Sequence, residues 1–238
     1  MTLADSVAVV TGAGRGLGRH VALALARRGA RVALAGRDST DLAVVAGEIA
    51  AAGGRALAVP TDVSRWPEVA ALHDAVRAGL GTADVLVNNA GVGWYRPFVD
   101  CSLEEIESTL DVNLKGTVYA CRAFLPEMLE RGRGQILCVA SDLGRRIQPN
   151  MAVYAASKHG VTGFAGSLLR EVKDRGVKVM TIGPGIIDTY FAGGREGTRG
   201  AAGALAPAFV ADWIVRMLEL PEHWVMDDAS LHPMRQEF

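Results

Sequence analysis

From end to end, this sequence alternates short, continuously apolar runs with longer runs whose apolar residues recur at helical spacing, and few architectures accommodate that rhythm. The short runs lie at 7–10, 31–35, 56–59, 85–87, 135–139 and 177–182, and 224–231 is expected to add a last strand. The amphipathic runs lie at 17–28, 40–52, 67–80, 103–131, 153–175 and 209–218. A strand apolar at every position is buried on both faces, and the intervening helices supply the covers. The pattern predicts an α/β fold, a doubly wound parallel sheet of about seven strands with helices on both faces. No Pro/Ser-rich linker, charge block or internal repeat interrupts it, so residues 1–238 are expected to form a single domain.

Composition narrows the possible partners. Of 238 residues, 50% are hydrophobic, enough for a substantial core and too many for a disordered chain. The 25 basic and 26 acidic residues nearly cancel, leaving no electrostatic footprint for nucleic acid or an anionic membrane surface. A membrane-spanning helix is not expected, because the longest uncharged stretch, 200–211, is interrupted by Gly203 and Pro207. The first residues lack a basic region ahead of an apolar one, and Cys101, Cys121 and Cys138 form no CxxC pair. The expected setting is therefore cytoplasmic and reducing, with no cleaved signal peptide. The five histidines show no metal-ligand spacing, so no catalytic metal is expected.

In doubly wound sheets, ligands sit beyond the carboxyl ends of the strands. After the first strand comes Thr11-Gly12-Ala13-Gly14-Arg15-Gly16-Leu17-Gly18, opening straight into a helix. Such glycines permit a tight turn and close approach of backbone N–H groups to a pyrophosphate. A nucleoside-triphosphate loop would need Gly-Lys-Ser/Thr, whereas this chain has Gly18-Arg19-His20. The second strand ends at Gly36-Arg37-Asp38. Arg15 and Arg37 could grip a 2′-phosphate in a fork geometry, which favours NADP(H) over NAD(H). Asp38 has two readings, a helix cap or a ligand to the ribose hydroxyls.

Tyr154 and Lys158 stand four apart on one helical face, Ser141 follows the fifth strand, and Asn113 lies within the 103–131 helical run. Together with the glycine loop, these residues resemble the short-chain dehydrogenase/reductase superfamily over nearly the whole chain. TGAGRGLG at 11–18 is similar to its TGxxxGxG loop, Asn88-Asn89-Ala90-Gly91 to its NNAG turn, and Thr61-Asp62-Val63 to its adenine-contacting segment. Pro184-Gly185-Ile186-Ile187-Asp188-Thr189 resembles its PGxxxT segment beside the nicotinamide. The resemblance implies a Rossmann-type fold, a catalytic set of Asn113, Ser141, Tyr154 and Lys158, and cofactor contacts from Gly12, Gly14, Arg15, Gly16, Leu17, Gly18, Arg37, Asp62, Val63, Asn89, Ala90, Gly91, Pro184, Gly185, Ile187 and Thr189, joined by Tyr154 and Lys158. It also implies assembly as a homodimer or homotetramer through helices 103–131 and 153–175. The ending 224–236 loosely resembles members acting on 3-hydroxy acids and broad carbonyl reductases.

The implied chemistry is the interconversion of a carbonyl and a secondary alcohol. Reduction needs a proton at oxygen, and Tyr154 is the natural donor. A free phenol has a pKa of about 10, and lowering it by two to three units takes roughly 3–4 kcal/mol. One ammonium about 4 Å away supplies roughly 4 kcal/mol at an effective dielectric near 20, so Lys158 alone suffices. Ser141 would bond the substrate oxygen, and Asn113 would support a proton-carrying water. Substrate contacts are expected from Gly93, Trp94, Leu143, Met151, Tyr190 and Phe191, beneath a Gly-rich mobile lid at 190–207. The substrate would be a small ketone or a 3-hydroxy/3-oxo acid. An NAD(H)-preferring alcohol dehydrogenase and a non-enzymatic dinucleotide sensor are the competing readings.

Overall fold

Seven parallel strands form one sheet in the order β3-β2-β1-β4-β5-β6-β7 in the computed structural model, which describes residues 2–199 and 203–236. The strands are β1 Val7–Thr11, β2 Arg31–Gly36, β3 Arg55–Pro60, β4 Val85–Asn88, β5 Gly134–Val139, β6 Val177–Pro184 and β7 Asp228–Leu231. Between them run α1 Gly16–Arg27, α2 Ser39–Ala51, α3 Trp66–Gly79, α4 Leu103–Leu110, α5 Gly116–Glu130, α6 Ala152–Val172 and α7 Pro207–Leu218.

Alternate residues of the central strands β1, β2, β4, β5 and β6 feed two separate cores. Val10, Leu34, Val87, Leu137 and Ile182 face α1, α2 and α7, meeting Val21, Leu25, Val45 and Ile214. Val9, Ala33, Leu86, Ile136 and Val179 face α3, α5 and α6, meeting Leu72, Phe124, Met128 and Leu168. Continuously apolar strands arise because both sets must leave water. The chain builds β1 to β3 outward, then returns to place β4 on the other side of β1. That reversal opens a crevice at the carboxyl ends of β1 and β4, where the loops diverge.

Two expected elements differ from the pattern. The 103–131 run is not one regular helix: a π-helical turn, Asp111–Lys115, separates α4 from α5. The extra residue in that turn lets Asn113 point into the protein, a distortion that hydrophobic spacing does not register. The last strand is Asp228–Leu231 and does not begin at 224. The Lys178 ammonium takes the Leu220 and Pro221 carbonyls, and Trp224 N–H closes a turn on Pro221, so the chain reaches the sheet edge only near Asp227.

Candidate active site

A cleft of about 1020 Å³ runs along the carboxyl edge of the sheet, lined by the residues that follow β1 to β6. Its floor is the junction of the loops after β1 and β4. Thr11 Oγ1 accepts hydrogen bonds from Asn89 N at 3.0 Å and Ala90 N at 3.1 Å. Asn89 Nδ2 donates back to Thr11 O at 2.9 Å and Gly12 O at 3.2 Å. A Cβ at residue 18 would lie 2.1 Å from the Gly12 carbonyl oxygen, so only glycine lets α1 start this close to the loop. The N-terminus of α1 therefore faces the cleft with unpaired N–H groups, a ready anion site. Thr11 is the tie that motif reading passes over, although it begins the glycine loop.

At the far end of the cleft, Arg15 and Arg37 are exposed beside Gly36, and neither enters an ion pair among the described residues. Asp38 caps α2: one carboxylate oxygen accepts from Thr40 N at 2.8 Å and Asp41 N at 3.1 Å. The cap is present, and because it uses only one carboxylate oxygen and Asp38 also lines the cleft, the ribose reading stands beside it. Asp62 is similarly engaged, its Oδ1 accepting from Ser64 N and Oγ, while Val63 lines the cleft beside it. A glycine cradle, an open helix N-terminus and two guanidiniums outside any described ion pair fit a dinucleotide with an additional phosphate. Gly12, Gly14, Gly16, Leu17, Gly18, Ala90, Gly91, Pro184, Gly185, Ile187 and Thr189 all line the same space.

At the middle of the cleft, Ser141 (after β5), Tyr154 and Lys158 (both on α6) come together. Lys158 Nζ donates to Val139 O at 2.8 Å and lies 5.7 Å from the Tyr154 ring centroid. Burial depresses the Lys158 ammonium to about 8, opposed only by the Cys138 thiol nearby. Burial likewise holds the Tyr154 phenol well above its ordinary range, against the pull of a hydrogen bond with Ser141, and the Asp142 carboxylate adds to the rise. The expected lowering of the Tyr154 pKa by Lys158 is outweighed by burial of the phenol.

Asn113 does not line the cleft. It is buried behind it, where Oδ1 accepts from Val92 N at 2.8 Å and Nδ2 donates to Val92 O at 2.9 Å and Ser157 Oγ at 3.0 Å. The amide thus pins the loop after β4 to α6. Leu143, Met151, Tyr190 and Phe191 line the substrate end, with the Phe191 and Tyr154 rings 5.1 Å apart. Gly93 packs edge-on against those two rings. Trp94 lines a small recess with Phe98 and Ile106 that shares Met151 and Tyr154 with the cleft. Arg145 is ion-paired with Asp228 of β7. Gln148 and Gln236 also reach the cleft, and neither belongs to a motif.

Beyond Phe191, the Asp188 carboxylate accepts from Gly197 N and Arg199 N, and His20 of α1 pairs with Glu196 at 2.9 Å. The expected lid at 190–207 includes residues 200–202, which lie outside the described residues. No described helix is long and apolar enough to cross a membrane.

Residues 6–199 match the family model described as short chain dehydrogenase. An uncharacterized oxidoreductase of Staphylococcus aureus is 34% identical over 98% of this chain and 99% of its own length. Among solved structures, an alcohol dehydrogenase from the archaeon Thermococcus sibiricus, complexed with 5-hydroxy-NADP, superposes with a TM-score of 0.92 at 32% identity, covering 98% of both chains. A 3-ketoacyl-(acyl-carrier-protein) reductase from Brucella melitensis, complexed with NADH, superposes with a TM-score of 0.90 at 30% identity, covering 98% of this chain and 99% of that one.

Proposed function

This chain belongs to the short-chain dehydrogenase family, enzymes acting on CH–OH groups with NAD(P), and from that premise we propose that it interconverts a carbonyl and a secondary alcohol with NADP(H), using Tyr154 as the acid and base. The observation that carries this reading is the convergence of Ser141, Tyr154 and Lys158 at the midpoint of a cleft whose other end is a glycine cradle. When bound, the reduced nicotinamide supplies a hydride to the carbonyl carbon. Tyr154 then gives its proton to the oxygen. Ser141 hydrogen-bonds the oxygen as charge develops there. Lys158, which donates to the Val139 carbonyl and lies beside the Tyr154 ring, would hold the nicotinamide ribose and bring a positive charge close to the phenol. Asn113 holds the 91–93 loop in register and supports the water through which the proton is replaced.

The cofactor preference rests on Arg15 and Arg37, two guanidiniums that line the cleft beside Gly36. The enzyme works in the cytoplasm as a homodimer or homotetramer packed through α4, α5 and α6, on a small ketone or 3-oxo acid held beside Tyr190 and Phe191. Gly163 of α6 has open space where a side chain would stand, with no atom within 4 Å of the Cβ position, which leaves room for such packing.

The decisive experiment replaces Tyr154 by Phe and follows reduction of a panel of ketones and aldehydes by nicotinamide absorbance. Turnover should fall by at least about a hundredfold, the ordinary worth of a placed proton donor, while NADPH affinity by calorimetry is retained. A variant keeping more than a few per cent of activity would refute the role.

A further inference from the structure

Asp142 follows Ser141 directly and opens the short turn Asp142–Gly144. Its side chain is only 4% exposed, yet it lines the cleft. Oδ1 accepts from Ser141 Oγ at 2.9 Å and from Leu143 N at 2.8 Å. Oδ2 accepts from Nε2 of Gln236, which arrives from the far end of the chain. Gln236 is itself anchored, its Oε1 accepting from Ile186 N at 2.9 Å. This crossing requires Gly185, where a Cβ would lie 2.2 Å from Gln236 Oε1.

All three donors to Asp142 are neutral, and no ion pair among the described residues involves it; the adjacent Arg145 is taken by Asp228. The carboxylate is therefore solvated by dipoles without its charge being cancelled. Beside it packs an apolar cluster of Leu143, Met151, Phe191 and the Tyr154 ring, with Gln148 and Arg199 also lining the cleft. An uncancelled negative charge thus stands one hydrogen bond from the hydroxyl that grips the substrate oxygen.

We infer that Asp142 determines substrate charge: the site accepts carbonyl compounds that are neutral or cationic beside the reacting carbon and rejects those carrying a carboxylate there. A substrate carboxylate would share a low-dielectric pocket with Asp142, where like charges repel far more strongly than in water. A cationic substituent would find both the carboxylate and the faces of nearby aromatic rings. The inference rests on the reductase reading and narrows it, selecting neutral ketones over 3-oxo acids.

The test compares methyl 3-oxobutanoate, 3-oxobutanoate and a trimethylammonium analogue in the wild type, Asp142→Asn and Asp142→Ser. The wild type should favour the ester over the acid by at least about tenfold in kcat/KM, and either variant should shrink that ratio by about tenfold. Affinities of the NADP+-loaded protein for the matching alcohols are measured in parallel by calorimetry. Absence of turnover with all three compounds, accompanied by the expected ratio in binding, would defeat the reductase reading and leave the charge preference standing. An ester-to-acid ratio equal in wild type and variants, or a wild-type preference for the acid, would overturn the inference. Two variants guard against a folding defect in one.

Discussion

Lys158 shows what a functional charge does to stability. Burial depresses its pKa from the ordinary 10.5 to about 8, so between those values the unfolded chain binds a proton that the native state does not. Stability linked to this residue therefore rises as pH climbs from 8 toward 10.5, and the full cost of the buried ammonium is felt below 8. Set against Lys158→Met, the wild type should gain about 2 kcal/mol between pH 7.5 and pH 10, read by urea denaturation of the cofactor-free protein. A flat difference across that window would contradict the burial argument. Tyr154 and Lys158 were legible as a pair from their spacing alone, but the sign of their pKa shifts was not. Coulomb attraction can be reasoned from sequence, whereas desolvation depends on what the fold packs around each group.

At the level of the element, the loops after β1 and β2 and the π-helical turn carry the site. The Asp38 cap gives the cleanest test of the cofactor argument. Asp38→Ala should cost about 1 kcal/mol in thermal stability, as loss of a helix cap does, and leave the KM for NADH unchanged. A carboxylate serving the ribose would instead betray itself as a marked loss of NADH affinity. The strands were legible because both faces are buried, and the glycine loop because close helix approach tolerates no Cβ. The π-helical turn at Asp111–Lys115 was not, since it adds one residue without altering the apolar pattern.

Across the whole molecule, the cleft joins loops from both halves of the sheet, so a bound dinucleotide ties β1–β3 to β4–β6. At one hundred times its dissociation constant, NADPH should add about 2.7 kcal/mol, raising Tm by roughly 5–10 °C. NADH at the same concentration should raise it less, and Arg37→Asp should narrow the gap. Equal shifts with both cofactors in the wild type would defeat the NADP preference.

By itself, the sequence determined the strand–helix rhythm, the parallel sheet, the cradle at Gly12 to Gly18 and the identity of the Ser141, Tyr154 and Lys158 group. The rhythm, the sheet and the cradle rest on periodicity and on local backbone geometry, which neighbouring residues dictate, while the Ser141, Tyr154 and Lys158 group was picked out by its resemblance to the family. Only the tertiary structure decided that Asp38 is a cap, that Arg145 belongs to Asp228, that Asn113 stands behind the cleft, and that Gln236 reaches Asp142 from 94 residues away. Each depends on which hydrogen-bonding and charged partners the fold brings within reach, and a residue's partner is fixed by packing across the sheet, not by its place along the chain.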